Sequence, residues 1–242
     1  MFCWTEETIR FRRDAAEAVG YDASIAAQLK PWLPEHARLC DAGCGLGYLS
    51  LALAGSCAHV TAVDIAPAPL AVLRQQAERT HTANLTVTEG DIFTMWPAEP
   101  FDAMIFCFFG RVRETLAAVR AQCKGTAVLV KKNWERHRFS LNGAPLKRFT
   151  YARTLDELDT LGVPYHTFTF LLDMGQPFRS LQDAALFFRL YGAPEAELTP
   201  ERVRAQLVES ALPGFPYYLP AENSLGVILV DAGDIPDSIV DG

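Results

Sequence analysis

With 242 residues, half of them apolar, the chain is long enough to bury a full core as one domain with room for a subdomain. A formal charge of −7 argues against a general nucleic-acid binder, which needs phosphate-neutralising basic surface. The longest apolar run, Ala103 to Phe109, is too short to span a bilayer and the N-terminus has no signal-peptide pattern, so a cytoplasmic protein without a membrane partner is expected.

Residues 5 to 33 read as two helices broken near Gly20. Thr5 caps the first, with Glu6 and Glu7 in its opening turn; Asp22 caps the second, which stops at Pro31 and Pro34. An apolar approach then ends at Asp41, and Gly43, Gly45 and Gly47 precede a helix-forming run. This pattern predicts a buried strand, a tight turn and the start of a helix. The turn offers close backbone approach and φ > 0 at the glycines, with unpaired N–H groups at the helix start for an anionic group. Asp41 adds a negative charge for a cation. A ligand bearing a carboxylate and an ammonium on one carbon suits both, and an ordinary strand-to-helix turn is the competing explanation.

Short apolar runs and helical stretches alternate after that: a strand at His59–Asp64, a helix at Pro67–Arg79, strands at 85–88 and from Phe101, a helix at 112–121 and a strand at 125–131. This order implies an α/β fold with a parallel sheet and helices on both faces. A basic loop (133–153), a short helix (155–161) and a strand (165–172) follow. About fifty residues, with helices at 181–190 and from Thr199-Pro200-Glu201 to about Ser210, precede a final strand at 225–230. Their aromatics favour an ordered, helical insertion acting as a cap. The organisation read from this is N-terminal helices covering the site (1–36), a core (37–175 and 223–232), a cap (176–222) and an acidic tail (233–242).

Six cysteines without a C-x-x-C pair point to buried free thiols, and no metal site is expected. Between residues 131 and 153, seven basic side chains face Glu135 alone, a local field that would draw an anionic substrate. A solvated loop is the alternative.

The strand ends line up with the glycine turn. Asp64 lies 21 residues after Gly43, where an acid accepts from ribose hydroxyls in nucleoside-binding α/β sheets, and Ile65 can lie against a base. Asp91 is placed to accept from an exocyclic amine, with Ile92 as apolar cover. Phe106 and Cys107 would line the slot between cofactor and substrate. The third glycine follows the second by two residues, not the three of the dinucleotide fingerprint, which weighs against an NAD-linked dehydrogenase.

Here the chain resembles the class I S-adenosylmethionine-dependent methyltransferases, over about residues 35 to 132. Asp41-Ala42-Gly43-Cys44-Gly45-Leu46-Gly47 is similar to the family's acid-x-G-x-G-x-G motif, Asp64 to its ribose-binding acid, Gly90-Asp91-Ile92 to its adenine-binding turn, and Phe101-Asp102-Ala103-Met104-Ile105-Phe106 to its fourth strand. The resemblance implies a Rossmann-like, seven-stranded, mostly parallel sheet with the last strand antiparallel. It also implies S-adenosylmethionine as cofactor, S-adenosylhomocysteine as product, and the cofactor's amino-acid end at Gly43 to Gly47 beside Asp41. After the fourth strand the chain has Cys107-Phe108-Phe109-Gly110 instead of the prolines found in adenine- and glutamine-directed relatives, so that chemistry is not implied.

The expected reaction is direct in-line methyl transfer to a small, anionic or aromatic metabolite. His137 is the candidate base, Arg136 and Arg138 an anion clamp, and Trp4, Tyr21, Phe178, Tyr217 and Tyr218 the aromatics that would close over the acceptor. A non-catalytic cofactor-binding regulator is the alternative, and both a monomer and a homo-oligomer remain open.

Overall fold

The sheet is built outward from its most apolar strand. In β4 (Phe101–Cys107), Ala103, Met104, Ile105 and Phe106 are all fully buried, as expected of a strand covered on both faces. It pairs in parallel with β1 (Arg38–Ala42) on one side and β5 (Cys123–Lys132) on the other. Parallel pairing continues from β1 to β2 (His59–Asp64) and on to β3 (Leu85–Glu89). Beyond β5 lies β10 (Glu222–Asp231), antiparallel to it, and then β6 (His166–Asp173), giving the seven-stranded order β3-β2-β1-β4-β5-β10-β6. Neighbouring residues of a strand face opposite ways. Ala62 packs with Leu70 and Leu73 while Val63 joins the main cluster around Phe106 and Leu116, so both faces are covered.

The structure, a computed structural model, describes residues 3–135, 139, 141 and 150–239. It divides into two compact units. The sheet unit comprises Asp22–Asn133, Arg148–Phe170 and Leu225–Gly242; the aromatic unit comprises Met1–Tyr21, Trp134–Lys147 and Leu171–Ser224.

In the sheet unit, α3 (Tyr48–Ala54), α4 (Pro67–Arg79) and α5 (Val112–Gln122) alternate with the parallel strands. Thr150 caps α6 (Tyr151–Leu161) by accepting from the Arg153 N–H, so that helix begins four residues before the expected Leu155. α2 (Tyr21–Leu29) starts one residue ahead of Asp22, which therefore lies in the first turn and not at the cap. The acidic stretch after β10 is no free tail where it is described: Ile235 and Ile239 are buried in the main core.

The aromatic unit gathers distant segments. α1 (Glu6–Val19) has the expected Thr5 cap, in a capping box with Thr8, and ends on Gly20 at φ 73°. Phe11 meets Phe178, Phe187 and Phe188 of the insertion in one cluster. The insertion holds α7 (Leu181–Leu190) and α8 (Pro200–Ala205), and also a small antiparallel sheet, β7 (Gln176–Phe178), β9 (Tyr217–Leu219) and β8 (Val208–Glu209). α8 stops short of Ser210 because the chain turns into β8.

Candidate active site

All three glycines of the turn after β1 adopt left-handed backbone: Gly43 at φ 71°, Gly45 at 55° and Gly47 at 70°. The turn is fastened to β2. The N–H groups of Gly43 and Cys44 donate to the Val63 carbonyl (2.8 and 3.0 Å), and the Gly45 N–H donates to Asp64 Oδ2 (2.9 Å). Asp64 Oδ1 accepts from the Ala66 N–H at 2.9 Å, which fixes the carboxylate at the strand end. A side chain at Gly43 would run into the Phe109 ring, whose carbons lie 2.5–2.8 Å from the position of an added Cβ.

Strand register brings the other ends to the same edge. Asp64 stands opposite Glu89, Ala42 opposite Val63, Asp41 opposite Ile105, and Cys107 opposite Val130. Ile65 is 43% exposed beside Asp64. Asp91 is exposed and accepts the Phe93 N–H on Oδ1 at 3.0 Å, with its own carbonyl closing the turn to Thr94 and Met95. Cys107 is half-buried where β4 leaves the sheet.

Asp41 is 2% exposed, and Ser50 of α3 donates its hydroxyl to Asp41 Oδ2 at 2.5 Å. Burial pushes this carboxyl up to about 6, against the opposing pull of the Ser50 hydroxyl. Its charge therefore lies beneath the glycine turn, held by one hydroxyl.

Residues 39–126 match the model of the methyltransferase domain family. The fold is shared with the YcgJ protein from Bacillus subtilis, at 12% identity over 87% of this chain and 98% of that one, with a TM-score of 0.58. A geranyl diphosphate methyltransferase in complex with S-adenosylmethionine aligns at 13% identity over 87% and 85%, with a TM-score of 0.51. A structure concerned with conversion of a disulfide into a thioacetal in echinomycin biosynthesis aligns at 20% identity over 90% and 84%, TM-score 0.54. The matched stretch runs from β1 to the start of β5 and contains the glycine turn, Asp64 and Asp91. No curated protein matches the sequence significantly. As 1115 solved chains match in structure, the fold does not select an acceptor.

Around this turn several expectations change. Phe106 is fully buried with Val112 and Leu116 on the α5 side, because strand alternation turns it into the core; it lines no slot. Ile92 is likewise a core residue. Phe109, stacked on Phe93 (centroids 5.5 Å apart, planes at 18°), stands next to the glycine turn in Phe106's place. Lys131 is no part of a solvated basic field: it is buried at the end of β5, on the face of Ala127 and Leu129.

Of the acceptor residues, Trp4, Tyr21, Phe178, Tyr217 and Tyr218 all belong to the aromatic unit. Phe178 has no exposed surface and packs edge-on against Phe11 and Phe187, which leaves no face for an acceptor. Tyr21 is buried under the Arg12 guanidinium. Trp4 and Tyr217 are half-buried, as is Tyr218, whose hydroxyl donates to Asp173 at 2.6 Å. Arg136, His137 and Arg138 lie outside the described residues. Among the described residues, no group of three or more His, Cys, Asp or Glu side chains is arranged to hold a metal, and no helix is long and apolar enough to cross a membrane. Cys40 and Cys123 are the buried thiols, while Cys3 is exposed.

Proposed function

We propose that this chain binds S-adenosylmethionine at the glycine turn and passes its methyl group in line to a small, anionic or aromatic metabolite. The observation that carries the reading is the linked geometry of the turn: three left-handed glycines, with the carboxylate of Asp64 drawn in against the Gly45 N–H. The bound donor supplies a methyl group already activated on a sulfonium. The chain then has to align, enclose and, for a protonated acceptor, deprotonate. Alignment and exclusion of water are worth effective molarities of roughly 10⁵ M or more.

In this reading Asp64 keeps lone pairs for ribose hydroxyls while it anchors the turn, since each carboxylate oxygen accepts more than one hydrogen bond. Ile65 offers an exposed apolar face for the base, and exposed Asp91 accepts from its amino group. The Gly43–Gly47 turn seats the amino-acid end, over the buried charge of Asp41. Cys107 borders the reacting end. Arg136 and Arg138 hold an acceptor anion, His137 takes its proton, and Trp4, Tyr217 and Tyr218 are the aromatics left for the acceptor's ring.

Titration with S-adenosylhomocysteine tests the cofactor half. Wild-type protein binds, and Asp64→Ala binds more weakly by about 1.5–3 kcal/mol, roughly tenfold or more, for the loss of charge-assisted hydrogen bonds. Folded protein that takes up no S-adenosylhomocysteine would end the proposal. Labelled S-adenosylmethionine and a pool of small acids tests the other half: a labelled product supports transfer, and binding without transfer leaves the regulator reading.

A further inference from the structure

We propose that Lys131 is a positioning residue of the cofactor site, holding the Phe108–Gly110 turn so that the Phe109 ring lies against Gly43. This rests on the reading of the glycine turn as the cofactor's seat.

Lys131 is 1% exposed, and its Nζ donates to the backbone carbonyls of Phe109 (2.7 Å) and Gly110 (3.2 Å). A buried ammonium is costly, and an apolar side chain of similar length would fill the same space without that cost. What the lysine adds is a grip on two adjacent carbonyls.

That turn needs a grip. Phe108 has φ 56°, a left-handed conformation that a phenylalanine rarely adopts, and Gly110 follows at φ 76°. The Phe108 N–H donates to the Val130 carbonyl at 2.9 Å, so β5 fastens the turn through its backbone at one end and through Lys131 at the other.

Between these two fasteners stands Phe109. Its ring fills the space where Gly43 lacks a Cβ, stacks on Phe93, and lies parallel to Phe106 with centroids 6.3 Å apart. Phe93 in turn donates its N–H to Asp91. One ring thus touches the first glycine of the turn and the loop of the candidate adenine-binding acid. A shift of Phe109 is felt at both ends of the cofactor.

Burial also draws the Lys131 amine down to about 8; Cys107 of β4 and Glu157 of α6 act on it in the opposite, upward direction. Deprotonation weakens its hydrogen bonds to the two carbonyls, because charge-assisted bonds are the stronger kind.

The test is S-adenosylhomocysteine affinity from pH 7 to pH 9.5 for wild type, Lys131→Met and Cys107→Ala. The wild-type affinity is expected to fall roughly fivefold across pH 8. Lys131→Met should bind roughly tenfold more weakly at pH 7 and show no step beyond that of the ligand's own amine, which both proteins share. A Lys131→Met protein with wild-type affinity and wild-type profile would overturn the proposal. Should that variant not fold, the other two decide: the step kept in Cys107→Ala supports Lys131, whereas a flat wild-type profile, or a step lost with Cys107, overturns it. A folded wild type without any affinity refutes the functional reading instead, which separates the two failures.

Discussion

In the aromatic unit, buried Asp14 meets the Arg179 guanidinium in a bidentate pair, one contact at 2.8 Å, and lies 3.7 Å from Arg10. Arg10 continues to Asp183 at 2.6 Å. Acid and base alternate through this network and tie α1 to α7. In the sheet unit two buried charges have neutral partners: Asp41 has the Ser50 hydroxyl and Lys131 two carbonyls. Burial accordingly moves both toward neutrality, Asp41 up to about 6 and Lys131 down to about 8. Compensated charges fasten segments of chain. Charges left with neutral partners keep a field at the strand ends, and groups displaced in this way cluster where ligands bind.

The sharpest break of this comparison sets Gly43 against Gly20. Both have left-handed backbone, at φ 71° and 73°, but an added Cβ at Gly43 meets the Phe109 ring while at Gly20 it meets nothing within 4 Å. Gly43→Ala should cost about 2–5 kcal/mol, backbone strain and overpacking together, and impair S-adenosylhomocysteine binding. Gly20→Ala should cost only about 1 kcal/mol. Thermal unfolding of the two variants measures the difference; equal losses would show that the ring does not confine the turn.

Asp14→Asn probes the other side of the comparison. It keeps the shape and removes the charge between two arginines, and should destabilise by about 1–2 kcal/mol, held down because both guanidiniums are partly exposed and can rehydrate. Removing Arg179 as well, in Asp14→Asn with Arg179→Met, should recover part of that loss. Additive losses from the two changes would mean that the pair is not coupled.

The same contrast governs what the amino-acid sequence discloses. β2, α4 and α7 have the bounds expected from apolar period and, for α4, from Pro67 at a helix start. These are signals carried within a dozen residues, and the glycine turn after β1 is of that kind. The aromatic unit is not, since Phe11 and Phe178 meet across 167 positions and the strands of its small sheet, two or three residues long, have no period to read. In the site itself, Phe106 and Lys131 differ from expectation for one reason. Strand alternation assigns each a face, but which face is the core depends on the helices that cover it.

The smallest effect concerns Ser50 and turns on pH. Asp41 ionises near 6 in the fold instead of 3.8, so folding takes up a proton between these values. Its stabilising contribution is complete below 3.8 and is lost as pH rises through about 6, roughly 3 kcal/mol in all. The Ser50 hydroxyl opposes the rise by donating to the carboxylate. Ser50→Ala should therefore raise the Asp41 value further and cost more where the carboxylate is charged: about 1–2 kcal/mol at pH 7.5, and less than about 1 kcal/mol at pH 5. Denaturant unfolding of wild type and variant at the two pH values measures it. A penalty independent of pH would assign Ser50 to packing alone and leave the charge beneath the glycine turn without its hydroxyl partner.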